Sequence, residues 1–262
     1  MVECGDKRYG YLLGFLKNKG LSAECMEISN CRGGTLPPAI GRDKTNIFLF
    51  AVSTVISKEI ANYIPKNSIV FCFSLQQAAK AVLQKNNVKI FDYFDDEVLA
   101  VKNAYLTAEA TLGLTIQNTD KSVKNLKVLV LGFGRVGKAA VKVFSDNGAI
   151  TSVATIDYYE QSLAAMYADD VYNLCSYKNH LGGFDCIINT IPKKILNKEE
   201  LDKVNKDCLV LDLASKPGGI DFEYAKKSGL NVIHALGLPG KYSPAAAGKI
   251  LAESILNTLS IS

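Results

Sequence analysis

The chain has 262 residues, 48% hydrophobic and 21% charged, the balance of an ordinary globular protein with room for one large domain or two modest ones. Its formal net charge of +4 comes from 30 basic against 26 acidic residues, and no run of Lys or Arg is dense enough to follow a nucleic-acid backbone. No apolar run reaches the ~20 residues that span a bilayer and no secretory signal opens the chain, so a cytoplasmic location is expected, with neither nucleic acid nor membrane as partner.

Short β-branched runs alternate with amphipathic stretches, which predicts an α/β protein with helices covering parallel sheets. In the first half, residues 9–19 read as a helix ended by Gly20, and 23–28 as a short strand. Residues 31–45, rich in Gly and Pro, read as a loop carrying Arg32 and Arg42. A strand is expected at 47–52, a helix at 57–63, a strand at 69–73, a helix at 75–85 and a strand at 88–91. Residues 94–118 look helical, as one helix or two, and could connect two domains.

The second half is more regular. A strand at 127–131 leads into a glycine loop and a helix at 135–147 closed by Gly148. Strands follow at 150–156, 170–174, 186–189, 209–213 and 231–235. Helices are expected at 159–167, at 221–228 with Asp221 as N-cap, and at 245–259. Six strands at this spacing predict a doubly wound parallel sheet of the Rossmann type. The expected division is a smaller, flavodoxin-like N-terminal α/β domain over 1–102 and a Rossmann domain over 103–244. The C-terminal helix, 245–262, would complete the first domain.

The seven cysteines form no C-x-x-C pair, and their odd number fits a reducing compartment. The two histidines, His180 and His234, stand at no ligand spacing to a cysteine, so no metal site is expected.

The motif Gly132-Phe133-Gly134-Arg135-Val136-Gly137 carries the most chemistry. A G-x-G-x-x-G alone is weak, but this one follows an apolar strand and opens a helix, as dinucleotide binding requires. Gly132 permits the tight turn, Gly134 lets a pyrophosphate reach the backbone, and Gly137 lets helix and strand pack closely. The helix N-terminus adds unpaired N–H groups and a positive dipole end. Asp157, about 20 residues beyond the loop, stands where a carboxylate would accept from the adenosine ribose and repel a 2′-phosphate; it could equally be a solvated turn residue. Ligands in such sheets sit beyond the carboxyl ends of the strands. Compact turns there hold Thr190, Ile191 and Pro192, then Ser215 and Lys216, then Leu238, Pro239 and Lys241.

These strand-end strings carry a family resemblance. Thr190-Ile191-Pro192, the string from Asp212 through Gly218-Gly219 to Asp221-Phe222, and Gly237-Leu238-Pro239-Gly240 resemble the A subunit of dipicolinate synthase. So do Thr107-Ala108-Glu109 with the stretch to Asp120, and the segment from Val128 to Gly137. The resemblance covers nearly the whole chain and is strongest after residue 103. It implies an NAD(P)-dependent oxidoreductase that converts a dihydrodipicolinate into dipicolinate, a pyridine dicarboxylate made during sporulation. It also implies a second, flavoprotein-like subunit; a homo-oligomer is expected. Gly132 to Gly137, Asp157, Thr190 to Pro192, Leu238 and Pro239 are the expected cofactor contacts. Thr107, Glu109, Ser215, Lys216 and Lys241 are the expected substrate contacts. Hydride loss aromatises the ring, so orientation and two carboxylate contacts are the main demands.

The chain departs from the family pattern in four places. Met1 to Cys4 is short for a first strand, and Leu106 stands where the family tends to carry Pro. Ala245-Ala246-Ala247-Gly248 stands where Lys and Thr tend to precede Ala-Gly, and Ile156-Asp157 where the family can carry Arg. The last two leave open both NAD against NADP and the exact carboxylate. An oxidoreductase on another small carboxylate, or a dinucleotide-binding subunit without turnover, remain as alternatives.

Overall fold

The computed structural model describes residues 2–3, 6–26 and 46–261. The chain forms two compact units, Met1–Lys102 together with Ser243–Ser262, and Asn103–Tyr242. The expected loop at 31–45, with Arg32 and Arg42, lies outside the described residues.

The first unit is built on five parallel strands: β1 (Val2–Glu3), β2 (Cys25–Met26), β3 (Ile47–Leu49), β4 (Ile69–Cys72) and β5 (Lys89–Asp92). Their order is β2-β1-β3-β4-β5, the flavodoxin-like winding. Helix α1 (Lys7–Asn18) starts where the Asp6 carboxylate accepts the Arg8 N–H at 2.9 Å. It stops where Gly20 adopts a φ of +83°. Its buried residues Tyr9, Leu12 and Leu16 fall at i, i+3 and i+7, one helical face. That face packs with Leu49 and Phe71 of the sheet and with Leu251 and Ile255 of the last helix, α10 (Pro244–Ile261). Gly248 makes the approach possible: a Cβ there would run into the Arg8 carbonyl. On the other face of the sheet, Phe48 and Val70 pack with Ile60, Ala61, Ala79 and Leu83 from α2 (Lys58–Tyr63) and α3 (Gln77–Lys85).

The stretch 94–118 resolves into a short 3-10 turn, Tyr93–Asp95, and a single helix α4, Glu97–Asn118. Asp96 caps it by accepting the Leu99 N–H at 2.9 Å. Along α4 Thr107, Thr111 and Thr115, and just past its end Thr119, each donate a hydroxyl to the carbonyl four residues back. Their hydroxyls are thus satisfied within the helix.

The second unit holds six parallel strands: β6 (Lys127–Leu131), β7 (Ile150–Thr155), β8 (Asp170–Asn173), β9 (Cys186–Asn189), β10 (Leu209–Asp212) and β11 (Asn231–His234). Their order, β11-β10-β9-β6-β7-β8, is the doubly wound sheet with its switch point between β6 and β9. Alternate residues feed two cores. Val128, Val130, Ile188 and Leu211 pack with Ala108 and Leu114 of α4 and with Ala140 and Phe144 of α5 (Arg135–Asp146). Leu129, Leu131, Ile187 and Val210 pack on the other face with Leu201 of α7 (Lys198–Leu201) and Ala225 of α8 (Phe222–Lys227). Helices α6 (Tyr158–Ala164) and α9 (Leu238–Tyr242) complete the unit. Two of these helices, α7 and α9, are not predicted by the sequence pattern. The former begins with a capping box between Asn197 and Glu200.

Among the described residues no helix is long and apolar enough to cross a membrane, and no group of three or more His, Cys, Asp or Glu could hold a metal. Cys72, Cys186 and Cys208 are buried free thiols. Burial pushes Cys186 up to about 12 and Cys72 up to about 11.

Asp185, just before β9, ties two strand starts together: it pairs with Lys121 and accepts the Lys127 N–H at 2.9 Å. Partial burial pushes its carboxyl up, but the hydrogen bonds and charges of Lys121 and Lys127 outweigh burial and hold it below the usual carboxylate range. A depressed folded value means stability that is present above the unfolded value and lost as pH falls through the folded one. Asp185→Asn is therefore expected to be less stable than the parent at pH 7 in urea unfolding. The gap should close as the pH is lowered past the parent's folded value.

Candidate functional site

The carboxyl ends of the strands stand in register. Leu131 of β6 faces Ala154 of β7 and Asn189 of β9; Asp212 of β10 faces Asn189 and His234 of β11. The glycine turn grows out of this row. Gly132, at φ +91°, donates its N–H to the Ala154 carbonyl at 2.9 Å, a backbone conformation that glycine adopts without strain. A Cβ on Gly132 would fall 2.6 Å from the Thr190 hydroxyl and 2.8 Å from Ile191 Cγ1. Thr190 closes the turn from the other side: its N–H and hydroxyl both donate to the Leu131 carbonyl, at 3.0 and 2.9 Å. A Cβ on Gly137 would run into the Gly132 carbonyl, so the first turn of α5 lies directly against the loop.

Gly134 differs from both neighbours. Its φ is −73°, open to any residue, and a Cβ there would meet nothing within 4 Å. Among the described residues no contact requires glycine at this position. As N-cap of α5 it brings no side chain to the first-turn N–H groups.

Beside the turn lies a buried polar network to which the sequence motifs assign no role. Asp212 has no exposed surface and sits at the end of an otherwise apolar strand. Its Oδ1 accepts the Asn189 side-chain amide at 2.8 Å and the Ala214 N–H at 3.1 Å, and its Oδ2 accepts the Gly219 N–H at 2.9 Å. Asn189, also fully buried, donates to the Ile191 carbonyl and accepts the Ile191 N–H, both at 3.1 Å. Two side chains thus fix the loops after β9 and β10. Gly218 and Gly219 leave the space: a Cβ at Gly218 would lie 2.7 Å from Asp212 Oδ2, and one at Gly219 would meet the Asn189 amide. His234 joins the edge of the network, with Nε2 3.4 Å from the Ala214 carbonyl and its ring 4.9 Å from that of Phe222. The signal that could have found the pair is a polar residue at the last position of two apolar runs.

The other expected residues divide by what their side chains can do. Phe133 and Leu238 are 1% and 2% exposed and turn into the core, so only their backbone can meet a ligand. Lys138 lies over the Phe133 ring at 5.7 Å. Val136, Thr190, Ile191 and Pro239 are half-buried; Arg135, Pro192, Ser215, Lys216 and Lys241 are exposed. Asp157 is exposed and caps α6, Oδ1 accepting the Glu160 N–H at 2.8 Å. On α4, Glu109 is exposed and Thr107 half-buried, its hydroxyl donated to the Asn103 carbonyl at 2.9 Å.

A six-stranded, doubly wound sheet with a glycine turn between its first strand and helix is the dinucleotide-binding fold of dehydrogenases. No family model matches the chain. It is 33% identical to the A subunit of dipicolinate synthase from Bacillus subtilis (strain 168) over 221 residues, 79% of this chain and 72% of that protein. The crystal structure of the dipicolinate synthase A chain from Bacillus subtilis superposes with a TM-score of 0.85 at 25% identity, covering 99% of this chain and 94% of that one. That of its counterpart from Bacillus halodurans gives 0.82 at 25% identity, covering 98% and 96%. The chain belongs to the family of dipicolinate synthase A subunits.

The buried network sets an expectation for stability. Asp212→Ala would leave three buried donors without their acceptor, each worth roughly 1–3 kcal/mol when unmet. Urea unfolding should show a loss of about 3 kcal/mol or more, against less than about 0.5 kcal/mol for Ser215→Ala in the same exposed loop.

Proposed function

We propose that this protein is the pyridine-nucleotide-dependent subunit of a dipicolinate synthase, oxidising a dihydrodipicolinate to dipicolinate with NAD or NADP. The observation that carries the reading is Gly134: a glycine that the fold does not need, at the mouth of a helix that no side chain caps. A pyrophosphate lying on the bare backbone accounts for it. The residues of the turn fit such a group. Gly132, Phe133, Gly134, Arg135, Val136 and Gly137 would hold the pyrophosphate through backbone N–H groups. Asp157 would receive the adenosine ribose. Thr190, Ile191, Pro192, Leu238 and Pro239 would line the nicotinamide half.

The bound nicotinamide supplies a hydride acceptor; the chain's own residues orient the ring beside it and exclude water. The ring loses a hydride and a proton and gains aromaticity, so the catalytic demand falls on position more than on acid–base power. The two substrate carboxylates would be met by Lys216 and Lys241, with Ser215 and Thr107 as hydrogen-bond partners. Glu109 would steer the ring or take its proton. Membership among synthase A subunits supports a partner subunit; we propose that this partner is flavoprotein-like, that the chain forms a homo-oligomer, and that it serves sporulation in the cytoplasm.

The direct experiment follows absorbance of the reduced nicotinamide while dihydrodipicolinate is supplied with NAD or NADP, with and without the flavoprotein-like partner. Substrate-dependent reduction is the expected result; none with either nucleotide, with or without the partner, would sink the reading. Gly134→Ala should change the unfolding free energy by less than about 1 kcal/mol while weakening NADH binding by about tenfold or more. Lys216→Ala should weaken the dicarboxylate more than the nucleotide, read from separate titrations; equal losses would count against its role.

A further inference from the structure

The end of β7 carries a second carboxylate. Thr155, the last residue of that strand, is 3% exposed, and its hydroxyl donates to Glu160 Oε2 at 2.6 Å. Glu160 reaches back to Thr155 from the first turn of α6, where Asp157 already holds its N–H. Gln161 adds a third tie, donating its side-chain amide to the Thr155 carbonyl at 3.0 Å. The place is set by the sheet: Ala154, one residue before Thr155, accepts the N–H of Gly132. Glu160 is thus anchored at the strand end next to the glycine turn, the position where a doubly wound sheet receives the adenosine ribose.

Along the segment that forms this strand end the formal charge has one sign. Between Lys142 and Lys178 the sequence contains no Lys, Arg or His. Ile156, Tyr158 and Tyr159 are exposed around the two carboxylates and offer apolar and aromatic surface but no cation. A ribose diol needs acceptors, and two carboxylates provide them. A 2′-phosphate needs donors or positive charge, and meets two negative charges at short range. A long Glu side chain in solvent could swing away from a phosphate. One bound to a buried hydroxyl has lost that freedom.

We infer that Glu160, held in place by Thr155, is a specificity-determining residue that acts with Asp157 to admit NAD(H) and turn away NADP(H). The inference rests on the dinucleotide reading above. Thr155 is a positioning residue in this scheme: it holds the carboxylate still.

The test is binding rather than turnover. The full chain is titrated with NADH and with NADPH, following the fluorescence of the reduced nicotinamide, and the ratio of the two dissociation constants is read. The parent should favour NADH by about 100-fold. Glu160→Gln should shrink the ratio by about tenfold, chiefly through tighter NADPH binding. Thr155→Val should shrink it part of the way while Glu160 is still present, and Thr155→Ser should restore it. A parent ratio near one would overturn the inference, and would place the 2′-phosphate with Arg135 at the turn instead. Equal weakening of both nucleotides in Glu160→Gln would overturn it as well, because a merely structural contact has that effect. Failure of both nucleotides to bind the parent would overturn the dinucleotide reading, and this inference with it; that result is distinct from equal binding of the two.

Discussion

The buried carboxyl of Asp212 sets the terms for the functional edge of this protein. A polar group without solvent must have its hydrogen bonds made inside the protein. Asp212 accepts from a side chain on the neighbouring strand and from two backbone N–H groups in its own loop. Satisfying it therefore fixes three things together: the rotamer of Asn189, the start of the loop after β10, and the return of that loop at Gly219. Asn189 passes the constraint on by bonding both backbone groups of Ile191. Ile191 and Thr190 in turn form the wall against which Gly132 turns. One unexposed carboxyl and one unexposed amide thus place loops from three strands.

The glycines of this edge answer to different masters. Gly132 is required by its positive φ and by the wall beside it, Gly137 by the carbonyl it touches, and Gly218 and Gly219 by the Asp212–Asn189 pair. Among the described residues no contact calls for glycine at Gly134. A motif of three glycines therefore contains two held by contacts within the fold and one that is not. Sequence spacing cannot separate these roles, because the deciding contacts are made only in the fold: Gly132 against Thr190 and Ile191 beyond the end of β9, Gly137 against the Gly132 carbonyl.

The same logic separates what the chain discloses as a string of letters from what only the folded sheet reveals. The buried strands are legible because parallel strands covered on both faces read as continuous apolar runs; Val128 to Leu131 and Cys186 to Ile188 are such runs. The six-strand order follows from spacing, and the capping role of Asp221 from residue type. Asn189 enters only as the end of an expected strand and Asp212 only as a letter in a family string, because what makes them structural is their mutual register, a property of the sheet. Phe133 and Leu238 are expected among the cofactor contacts, although burial turns their side chains inward. Asp157 stands poised between ribose ligand and turn residue, and its bond to the Glu160 N–H shows a helix cap. Helix α7 escapes notice despite its capping box, since four residues are too few to show a period. The short edge strand Cys25–Met26 falls inside the strand expected at 23–28.

Helix α10 gives the first unit an unusual dependence on synthesis order. Its residues Leu251, Ala252 and Ile255 share a core with Tyr9, Leu12 and Leu16 near the opposite end of the chain. The contact is close enough to need Gly248 against the Arg8 carbonyl. On the ribosome, the unit that begins first is therefore the one that closes last. The part of the α1 face that meets Leu251, Ala252 and Ile255 waits while residues 103–242 emerge, a continuous stretch that carries its own core. A nascent chain stalled before residue 244 has the sheet side of α1 packed on Leu49 and Phe71 but lacks the apolar cover that the eighteen-residue helix α10 supplies.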